Sequence, residues 1–581
     1  MCFYSSPLRT PAVIAWLLPR PVFPDMDDTP SFPFMTSTFL QRIFRYLPWL
    51  IGPLYCGVLA LCMGQDANWD LRNYHFYNAY AFLHHRLDYD VAPAQVATFY
   101  NPLFYVPFYE AVRLLPPMLV GFLLGALQGL NFPLLLAIAR NVLGTTPANP
   151  WWRGFLIALL GILGAGTISE LGTMFGDNLT SLLVLGGLWM LLANFPRLTD
   201  RRMIEALLPV IAAGVMVGLA AGLKQPAAVF AMGWCVALLF LPLPVGKRLG
   251  LAFIFGVGVL AGIAATGGYW LYEMWSRYGN PLFPYFNHVF QSPMASLADY
   301  RDARFLPGSL LDALLFPFII VQYPFRTAET PFRDLRLPLF MVLLVVSGLS
   351  VLGAKMRVRL SPAAPVCPVS SEGLKKRFLL IGSLVAYAVW LKLFAIYRYL
   401  LPLEMLAPLG IWLLINTLPW RMRTKNYAAA FCILLLLVTL RPGNWGRVTW
   451  GDDYFGVTPP PLADPAHSMV LMTGVDPMAY VIPFFPEPVR FLRIQSYFTG
   501  PSDTPNGFDR RMQQLVAEHR GPLYVLYRSF EKDTNRAALQ AYGLAIEPGS
   551  CRTLFPHIEK CLNYPLIFCA VAPNSTVNKE E

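Results

Sequence analysis

The sequence predicts a mainly α-helical protein, a polytopic bundle of about eleven transmembrane helices followed by a small extracytoplasmic α/β domain. Three observations predict this class. The 581 residues are 56% hydrophobic and 14% charged, whereas soluble domains carry about 25% charged residues. Apolar runs long enough to cross a bilayer recur from Tyr46 to Leu440. After Arg441 the apolar runs shorten to strand length and the share of charged residues rises.

The predicted spans are read from these apolar runs. They lie at about 46–63, 117–139, 152–168, 178–194, 206–222, 226–243, 249–272, 337–354, 378–395, 399–418 and 426–440. Lys and Arg concentrate in alternate short loops, and such residues are retained on the cytoplasmic side. The sequence therefore predicts a cytoplasmic leader at 1–45, a transmembrane domain at 46–441 with outer loops at 64–116 and 276–336, and an extracytoplasmic domain at 442–581.

The C-terminal region has the pattern of a small α/β domain. Residues 468–474 and 522–528 read as buried strands, and residues 509–519 between them read as a helix. Three of the nine cysteines, Cys551, Cys561 and Cys569, also lie here. In an extracytoplasmic domain one pair can form a disulfide, and Cys551 with Cys561 is the pair that we favour.

The net charge of +11 does not indicate a nucleic-acid-binding protein. The basic residues fall in short clusters between apolar runs, where their role is topological. His75 and His288 are isolated histidines without ligand spacing, so they predict no metal site.

Chemistry is expected first in the stretch Gly64–Tyr80, which follows the first predicted span. Asp66 would lie at the membrane surface, where a carboxylate can stay ionised yet reach a substrate whose reactive end is tethered to lipid. It could act as a general base or as a helix N-cap. Asp70, four residues on, would share its helical face, or could pair with Arg72.

Further ionisable residues are predicted at the outer ends of later spans. Charged groups near membrane depth are costly, so they tend to pair or to bind a ligand. Asp177 could cap a span or belong to a site, and Lys224 and Arg398 could contact substrate or snorkel to the interface. The predicted catalytic residues are Asp66, Asp70 and Asp177, and the predicted substrate-binding residues are Arg72, Lys224, Lys392, Tyr397, Arg398 and Glu404.

These residue types suit transfer of a sugar from a polyprenyl-phosphate carrier. A carboxylate would take the proton from the acceptor hydroxyl as that hydroxyl attacks the anomeric carbon. The leaving phosphate is already a stable anion, so cations that hold its charge matter more than a general acid. Arg398, Lys224 and Lys392 could supply them.

Four short stretches resemble the GT-C superfamily of multi-spanning glycosyltransferases that use lipid-linked sugar donors, over about residues 40–440. They are GQDANWD at 64–70, FGDN at 175–178, GNPLFPYFN at 279–287 and YRYLLPLE at 397–404. The resemblance implies Asp66 as base or metal-coordinating residue and Arg398 as a phosphate contact. It also implies a lipid-linked sugar donor, a glycan, lipid or protein acceptor, surrounding membrane lipids, and the bacterial inner membrane as location.

The first loop departs from GT-C members that carry adjacent acids, because Ala67, Asn68 and Trp69 separate Asp66 from Asp70. The need for a divalent cation, Mg²⁺ or Mn²⁺, therefore stays open.

Three alternatives stay open as well. A lipid-linked glycan transporter would favour charges at the bilayer midplane. A polysaccharide polymerase or ligase would use a lipid-diphosphate donor and an arginine-rich outer loop. The loop at 276–336 contains such arginines: Arg277, Arg301, Arg304, Arg326, Arg333 and Arg336. The third alternative is an inactive scaffold that recruits partners through its C-terminal domain.

Overall fold

The computed structural model describes residues 38–144, 150–200, 202–359, 370–502 and 504–574. The chain divides into two compact units, Met1–Pro48 and Trp49–Glu581. In the first unit the described residues are the beginning of helix Thr38–Met63. The predicted cytoplasmic leader at 1–45 falls largely on residues outside the described ranges. All contacts discussed below lie within the second unit.

Helices dominate the chain up to Thr439, which confirms the mainly helical class. The α-helices there are Thr38–Met63, Phe76–Leu83, Val106–Leu114, Pro117–Gly129, Asn131–Leu143, Trp151–Ile162, Ala165–Ser169, Asp177–Ala193, Phe195–Thr199, Ile204–Leu223, Ala228–Leu239, Val245–Ile263, Tyr269–Tyr278, Asn287–Phe290, Leu310–Gln322, Arg336–Arg359, Ser371–Leu393, Leu401–Thr417 and Met422–Thr439. The π-helical turns are Leu71–His75 and Ala264–Gly268, and the 3-10 turns are Gln95–Phe99, Leu103–Tyr105, Gln225–Ala227, Pro324–Arg326 and Tyr397–Leu400.

Of the described residues, seven helical segments are long and apolar enough to cross a membrane, as expected for a multi-pass membrane protein. They are Tyr46–Met63, Pro117–Leu143, Ile204–Leu223, Val245–Tyr278, Arg336–Ala354, Tyr397–Thr417 and Met422–Thr439. Four shorter apolar helices are Trp151–Ile162, Asp177–Ala193, Gln225–Leu239 and Leu310–Gln322. The predicted total of about eleven spans stays a prediction.

Small residues set the closest helix packing in the bundle. Helices Ile204–Leu223 and Val245–Ile263 approach at Gly214 and Gly258, where an added Cβ would meet backbone atoms of the facing helix. Glycines at a helix crossing let two backbones come together and gain van der Waals contact. Lys224 directly follows helix Ile204–Leu223.

The C-terminal region is an α/β sheet, as predicted. Its strands are β3 (Met469–Met472), β4 (Arg490–Arg493), β5 (Leu523–Arg528), β6 (Leu544–Ile546), β7 (Arg552–Leu554) and β8 (Leu566–Pro573), after a two-strand ribbon of β1 (Gln65–Asp66) and β2 (Arg447–Val448). Its helices are Gly507–Glu518, Lys532–Ala541 and His557–Leu562, with 3-10 turns at Pro465–His467, Ala479–Phe484 and Ser529–Glu531.

The sheet order is β4-β3-β5-β8-β6, with β7 also paired to β8. Strand β3 is parallel to β4 and β5, whereas β8 is antiparallel to β5, β6 and β7. Every residue of β3 is buried, which explains the continuous apolar run that predicted it. The predicted strands at 468–474 and 522–528 are β3 and β5, and the predicted helix at 509–519 is Gly507–Glu518.

The first outer loop is built onto this sheet. Leu71 and Tyr77 share one buried apolar cluster with Val470 and Tyr480. Val91 forms a parallel bridge to Leu492 of β4, which extends the sheet by one position. The α/β region and the loop therefore bury apolar surface against each other, and this mutual burial stabilises both. The predicted domain boundary at 441/442 stays a prediction.

The disulfide links Cys551 to Cys569, and Cys561 is a free, exposed thiol. Antiparallel pairing of β7 with β8 places Arg552 opposite Phe568, so the residues one step outward, Cys551 and Cys569, also face each other. The predicted pairing of Cys551 with Cys561 is therefore wrong. Cys561 lies on helix His557–Leu562, and strand register, not sequence spacing, selects the partner.

Candidate active site

Asp66 lies at the start of the first outer loop and is buried. Its carboxylate accepts hydrogen bonds from the Asn68 backbone N–H at 3.0 Å, the Asn68 side chain at 2.7 Å and the Met174 N–H at 3.0 Å. Burial raises the pKa of Asp66, while Arg447 and these hydrogen bonds act in the opposite direction. Asp66 therefore ties the first outer loop to the loop that contains Met174.

Asp66 does not cap a helix, which was one of the two predicted roles, and the prediction that it shares a helical face with Asp70 is wrong. Asp66 belongs to strand β1, where it is paired with Arg447 of β2. Asn68 is the residue that accepts a hydrogen bond from the Leu71 N–H, at 2.8 Å, and so caps the helical turns that follow. Helical spacing does not apply across a strand and a turn, so the Asp66 and Asp70 side chains have different neighbours.

Asp70 meets Arg398, which lies at the start of a late span. Arg398 Nη1 donates to Asp70 Oδ2 at 3.2 Å, and Arg398 Nη2 lies 3.8 Å from Glu329 Oε1. The guanidinium also lies 4.3 Å from the centre of the Phe175 ring, a cation–π arrangement. The Asp70 side chain is 19% exposed, so it is not closed off from solvent.

Burial is the largest influence on Asp70 and raises the pKa of its carboxyl group. Arg398 acts against that rise, Glu329 adds to it, and Lys224 acts against it more weakly. The proton affinity of Asp70 therefore depends on charges supplied by three other parts of the chain.

Lys224 and Asp177 form a second ion pair beside the first. Lys224 Nζ lies 2.5 Å from Asp177 Oδ2 and donates to the Phe175 carbonyl oxygen at 2.8 Å. Asp177 is the first residue of helix Asp177–Ala193, where the helix dipole favours a carboxylate. Lys224 also lies 5.3 Å from the centre of the Tyr399 ring.

We call Asp70, Asp177, Lys224, Glu329 and Arg398 the charged cluster. A small cavity opens beside it, and its lining includes Asp177, Lys224, Arg398 and Tyr399. Three carboxylates face two cations, so the cluster holds both a candidate base and candidate anion-binding groups within one site.

Two further buried titratable groups, His75 and Glu170, lie near the charged cluster. Burial lowers the pKa of His75 well below its usual range and raises the pKa of Glu170 well above it. Within the described part of the chain, neither ring nitrogen of His75 nor either carboxyl oxygen of Glu170 has a hydrogen-bond partner. The His75 ring stacks on Tyr105, with 4.6 Å between ring centres.

The remaining predicted substrate-binding residues lie elsewhere. Arg72 points to Glu559 of the α/β region, 3.7 Å away. Tyr397 is buried against Phe332. Lys392 is exposed on the last turn of helix Ser371–Leu393. The structure does not bring these three side chains into the charged cluster.

Glu404 is bonded to the N-terminal turn of a short helix. It accepts hydrogen bonds from the Gly166 N–H at 3.0 Å, the Thr167 N–H at 2.8 Å and the Thr167 hydroxyl at 2.7 Å. These N–H groups belong to the first turn of helix Ala165–Ser169 and have no partner within that short helix. Glu404 therefore satisfies a buried helix terminus, and its carboxylate is not turned to the charged cluster.

Sequence reasoning did not identify three neighbours of Arg398. Glu329 lies in the second outer loop, in which only the arginines were considered as ligand-binding residues. Phe175 precedes the FGDN motif residue Asp177 by two positions, and Tyr399 directly follows Arg398. The sequence could have indicated the two aromatic residues, because they lie close in sequence to Asp177 and Arg398. Glu329 is distant in sequence from Arg398, and only the tertiary structure shows their contact.

The donor set does not fit a divalent cation. Among the residues that the structure describes, no three His, Cys, Asp or Glu side chains are grouped to hold one. Two carboxylates of the charged cluster are each paired with a cationic side chain, Asp70 with Arg398 and Asp177 with Lys224. A metal ion would have to displace both cations.

No protein-family model and no curated protein matches the sequence. Solved structures that resemble the chain include the Archaeoglobus fulgidus oligosaccharyltransferase in the apo form, with 11% identity and a TM-score of 0.45 over 87% of this chain and 72% of that one. The archaeal oligosaccharyltransferase AglB from the same organism, in complex with an inhibitory peptide and a dolichol-phosphate, gives 10% identity and 0.44 over 86% and 71%. ArnT from Cupriavidus metallidurans, bound to undecaprenyl phosphate, gives 11% and 0.35 over 92% and 98%.

The different surroundings of Asp66 and Asp70 predict different effects on stability. Asp66→Asn should lower the free energy of unfolding by about 1–3 kcal/mol, because an amide cannot accept all three buried hydrogen bonds. Asp70→Asn should lower it by less, because an amide oxygen can keep the one hydrogen bond from Arg398, and Glu329 still lies beside that guanidinium. Thermal unfolding of the two purified variants measures the difference, and equal losses would contradict the structural role of Asp66.

Proposed function

We propose that the protein is a membrane glycosyltransferase that transfers a sugar from a polyprenyl-phosphate donor to an extracytoplasmic acceptor. The observation that carries the proposal is the contact between Asp70 and Arg398. It places a partly exposed carboxylate beside a buried guanidinium at the end of a membrane span. This reaction needs that pair, one group to accept a proton and one to hold the departing phosphate.

In the proposed reaction the acceptor hydroxyl oxygen attacks the anomeric carbon of the donor sugar. The bond between that carbon and the phosphate oxygen breaks, and its electron pair leaves with the phosphate. The acceptor proton passes to Asp70. Asp70 thus takes the role that the sequence favoured for Asp66, since the Asp66 carboxylate is already occupied by three hydrogen-bond donors.

The donor phosphate would bind Arg398 and Lys224. Arg398 Nε has no hydrogen-bond partner within the described residues, so the guanidinium has an unused donor. A phosphate at Arg398 would compete with Asp70 for the same positive charge and weaken their contact. Donor binding would then free the Asp70 carboxylate for the acceptor hydroxyl. Binding of the donor would therefore precede proton transfer to Asp70.

The position of the cluster suits a substrate with a lipid tail. Asp70 follows the span Tyr46–Met63, Lys224 follows Ile204–Leu223, and Arg398 begins Tyr397–Thr417. Arg398 contacts Asp70, and Arg398 and Lys224 line one cavity, which supports a position of these span ends on one face of the bundle. A phosphate bound there would keep its polyprenyl chain in the bilayer. We propose that this face is periplasmic in the bacterial inner membrane, with the N-terminus cytoplasmic.

The ion pairs of the second outer loop weigh against a polymerase or ligase that binds a lipid diphosphate through free arginines. Five of the six arginines in this loop are paired with carboxylates. The pairs are Arg277 with Asp88 and Glu273, Arg301 with Asp299, Arg304 with Asp302, Arg326 with Asp312, and Arg336 with Asp334. A cation already neutralised by a neighbour binds an added anion less strongly.

Sugar transfer by the purified protein tests the proposal directly. A panel of synthetic polyprenyl-phosphate sugars would be offered with and without a chelator. Asp70→Asn should reduce the turnover rate by about 100-fold or more, the usual contribution of a general base. Asp66→Asn, compared per folded molecule, should keep a larger share of the activity. The chelator should leave turnover unchanged.

Near-normal turnover of Asp70→Asn would contradict its role as base. Loss of turnover in Asp66→Asn alone would return that role to Asp66. Activity that is confined to diphosphate-linked glycans would favour the polymerase or ligase class.

Arg398 should contribute to donor affinity. Arg398→Gln removes the charge proposed to hold the donor phosphate, and we expect donor binding to weaken by about 10-fold or more, since a charge-assisted hydrogen bond contributes roughly 1.5–3 kcal/mol. Lys392→Gln removes an exposed positive charge outside the cluster and serves as the matched control. Equilibrium binding of a polyprenyl phosphate to both variants decides the point, and equal affinities would show that Arg398 holds no phosphate.

Glu329 should tune the pH dependence of the reaction. A base must be deprotonated, so kcat/KM should fall as the pH drops through the raised pKa of Asp70. Glu329 contributes to that raised pKa. Glu329→Gln should therefore lower the pKa of Asp70 and move the acidic limb of the pH profile to lower pH. Glu110→Gln, at a carboxylate of similar exposure paired with Arg113, is the control. A limb that stays in place or moves to higher pH would rule out Asp70 as the titrating base.

A further inference from the structure

A buried ion pair joins the segment that contains Asp70 to the α/β region. Arg72 lies on the π-helical turn Leu71–His75, and this turn directly follows Asp70. Its Nη1 atom lies 3.7 Å from Glu559 Oε1, and both side chains are almost fully buried. Arg72 Nε donates to the Ala67 carbonyl oxygen at 3.1 Å, so the guanidinium also closes the turn that precedes it.

Hydrogen bonds and an ion pair within the α/β region hold Glu559 in place. It lies on helix His557–Leu562 and is fully buried. Arg528 Nη1 lies 2.5 Å from Glu559 Oε2, and Arg528 Nη2 donates to Glu559 Oε1 at 2.9 Å. The Tyr480 hydroxyl donates to Oε1 at 2.6 Å. Two side chains from different elements, Arg528 and Tyr480, thus fix the carboxylate that Arg72 meets.

Arg528 connects this carboxylate to the sheet. It is the last residue of β5 and also pairs with Asp476 at 3.0 Å. Its Nη1 atom donates to the Tyr564 carbonyl oxygen at 2.8 Å. Arg72 and Arg528 therefore both face Glu559, and Asp476 supplies a second negative charge beside Arg528. A buried network in which each charge has a partner is rigid, because loss of one partner leaves a costly unpaired charge.

The turn that Arg72 stabilises needs support from outside. A single π-helical turn is rare and is less favourable than a continued α-helix. The neighbouring Asn73 donates from Nδ2 to the Ala94 carbonyl oxygen at 3.2 Å, which anchors the opposite side of the turn. Asp70 immediately precedes this turn, so the direction of its side chain depends on how well the turn is held.

We propose that Glu559 is a positioning residue for Asp70, and that the α/β region sets the distance between Asp70 and Arg398 through the Glu559–Arg72 contact. This inference depends on the proposed function for its effect on turnover. The structural part, that Glu559 orders the turn after Asp70, stands independently of any substrate. A displacement of about 1 Å at a reacting group can cost about 100-fold in rate.

Hydrogen–deuterium exchange of the full chain in detergent, with and without a lipid-linked sugar donor, measures the structural part. Glu559→Gln keeps the size of the side chain but removes its charge. We expect amide exchange in peptides covering residues 68–78 to accelerate by about 10-fold or more. Asp509→Asn is the matched control, because Asp509 is a buried acid of the same region whose partners, Gly500 and Asn506, also lie in that region. It should leave residues 68–78 unchanged.

Steady-state kinetics measure the catalytic part. Glu559→Gln should lower kcat by about 10- to 100-fold and change the KM for the donor by less than about twofold, because the phosphate-binding cations are untouched. Arg72→Gln should have the same effect, and the double variant should be no slower than either single one, since both changes break one contact. Arg72→Lys keeps the charge and should recover part of kcat.

Unchanged exchange at residues 68–78 in both single variants would overturn the inference. So would a loss of activity that is fully additive in the double variant. If Glu559→Gln accelerates exchange throughout the α/β region, the same measurement on Arg72→Gln distinguishes the two explanations. Acceleration confined to residues 68–78 in that variant supports the inference, and unchanged exchange there refutes it. If exchange behaves as expected but wild-type protein transfers no sugar from any polyprenyl-phosphate donor, the positioning contact stands and the proposed function fails.

Discussion

The ion pair between Arg398 and Asp70 is the contact on which the arrangement of the site depends. A guanidinium at the edge of a bilayer is costly unless a carboxylate neutralises it and its N–H groups find acceptors. Asp70 and Glu329 supply the negative charge from two different outer loops, and the Phe175 ring covers one face of the cation. The need to satisfy one buried charge therefore draws a late span, both outer loops and the loop before Asp177 to one place.

The α/β region supports the outer loop that supplies Asp70 to this ion pair. The first outer loop cannot place Asp70 by its own secondary structure, since it runs from the short strand β1 through a π-helical turn. It gains order by burying Leu71 and Tyr77 against the sheet and by pairing β1 with β2. Residues nearly 400 positions apart, such as Gln65 and Tyr454, are joined by a hydrogen bond in the process. The α/β region is thus part of the structure that forms the site.

Much of the fold could be predicted because it follows from local composition. Apolar runs predicted the helices, and short continuous apolar segments predicted the fully buried strand β3 and the largely buried strand β5. The disulfide could not be predicted, since Cys551 meets Cys569 through the register of β7 on β8. The site was predictable in part. Asp70, Asp177, Lys224 and Arg398 were expected from their positions at span ends, whereas Glu329 enters through a contact between loops.

The relation between Asp66 and Asp70 shows where sequence spacing stops being informative. A separation of four residues suggested one helical face, but that rule holds only when every intervening residue is helical. Gly64 has a φ of +93° and turns the chain out of the first span into strand β1, so Asp66 lies in extended backbone. Its carboxylate consequently meets N–H groups of nearby loops, while Asp70, past the Asn68 cap, faces the cations. Asp66 organises the loop and Asp70 is partly exposed beside Arg398, and the local backbone conformation determines this difference.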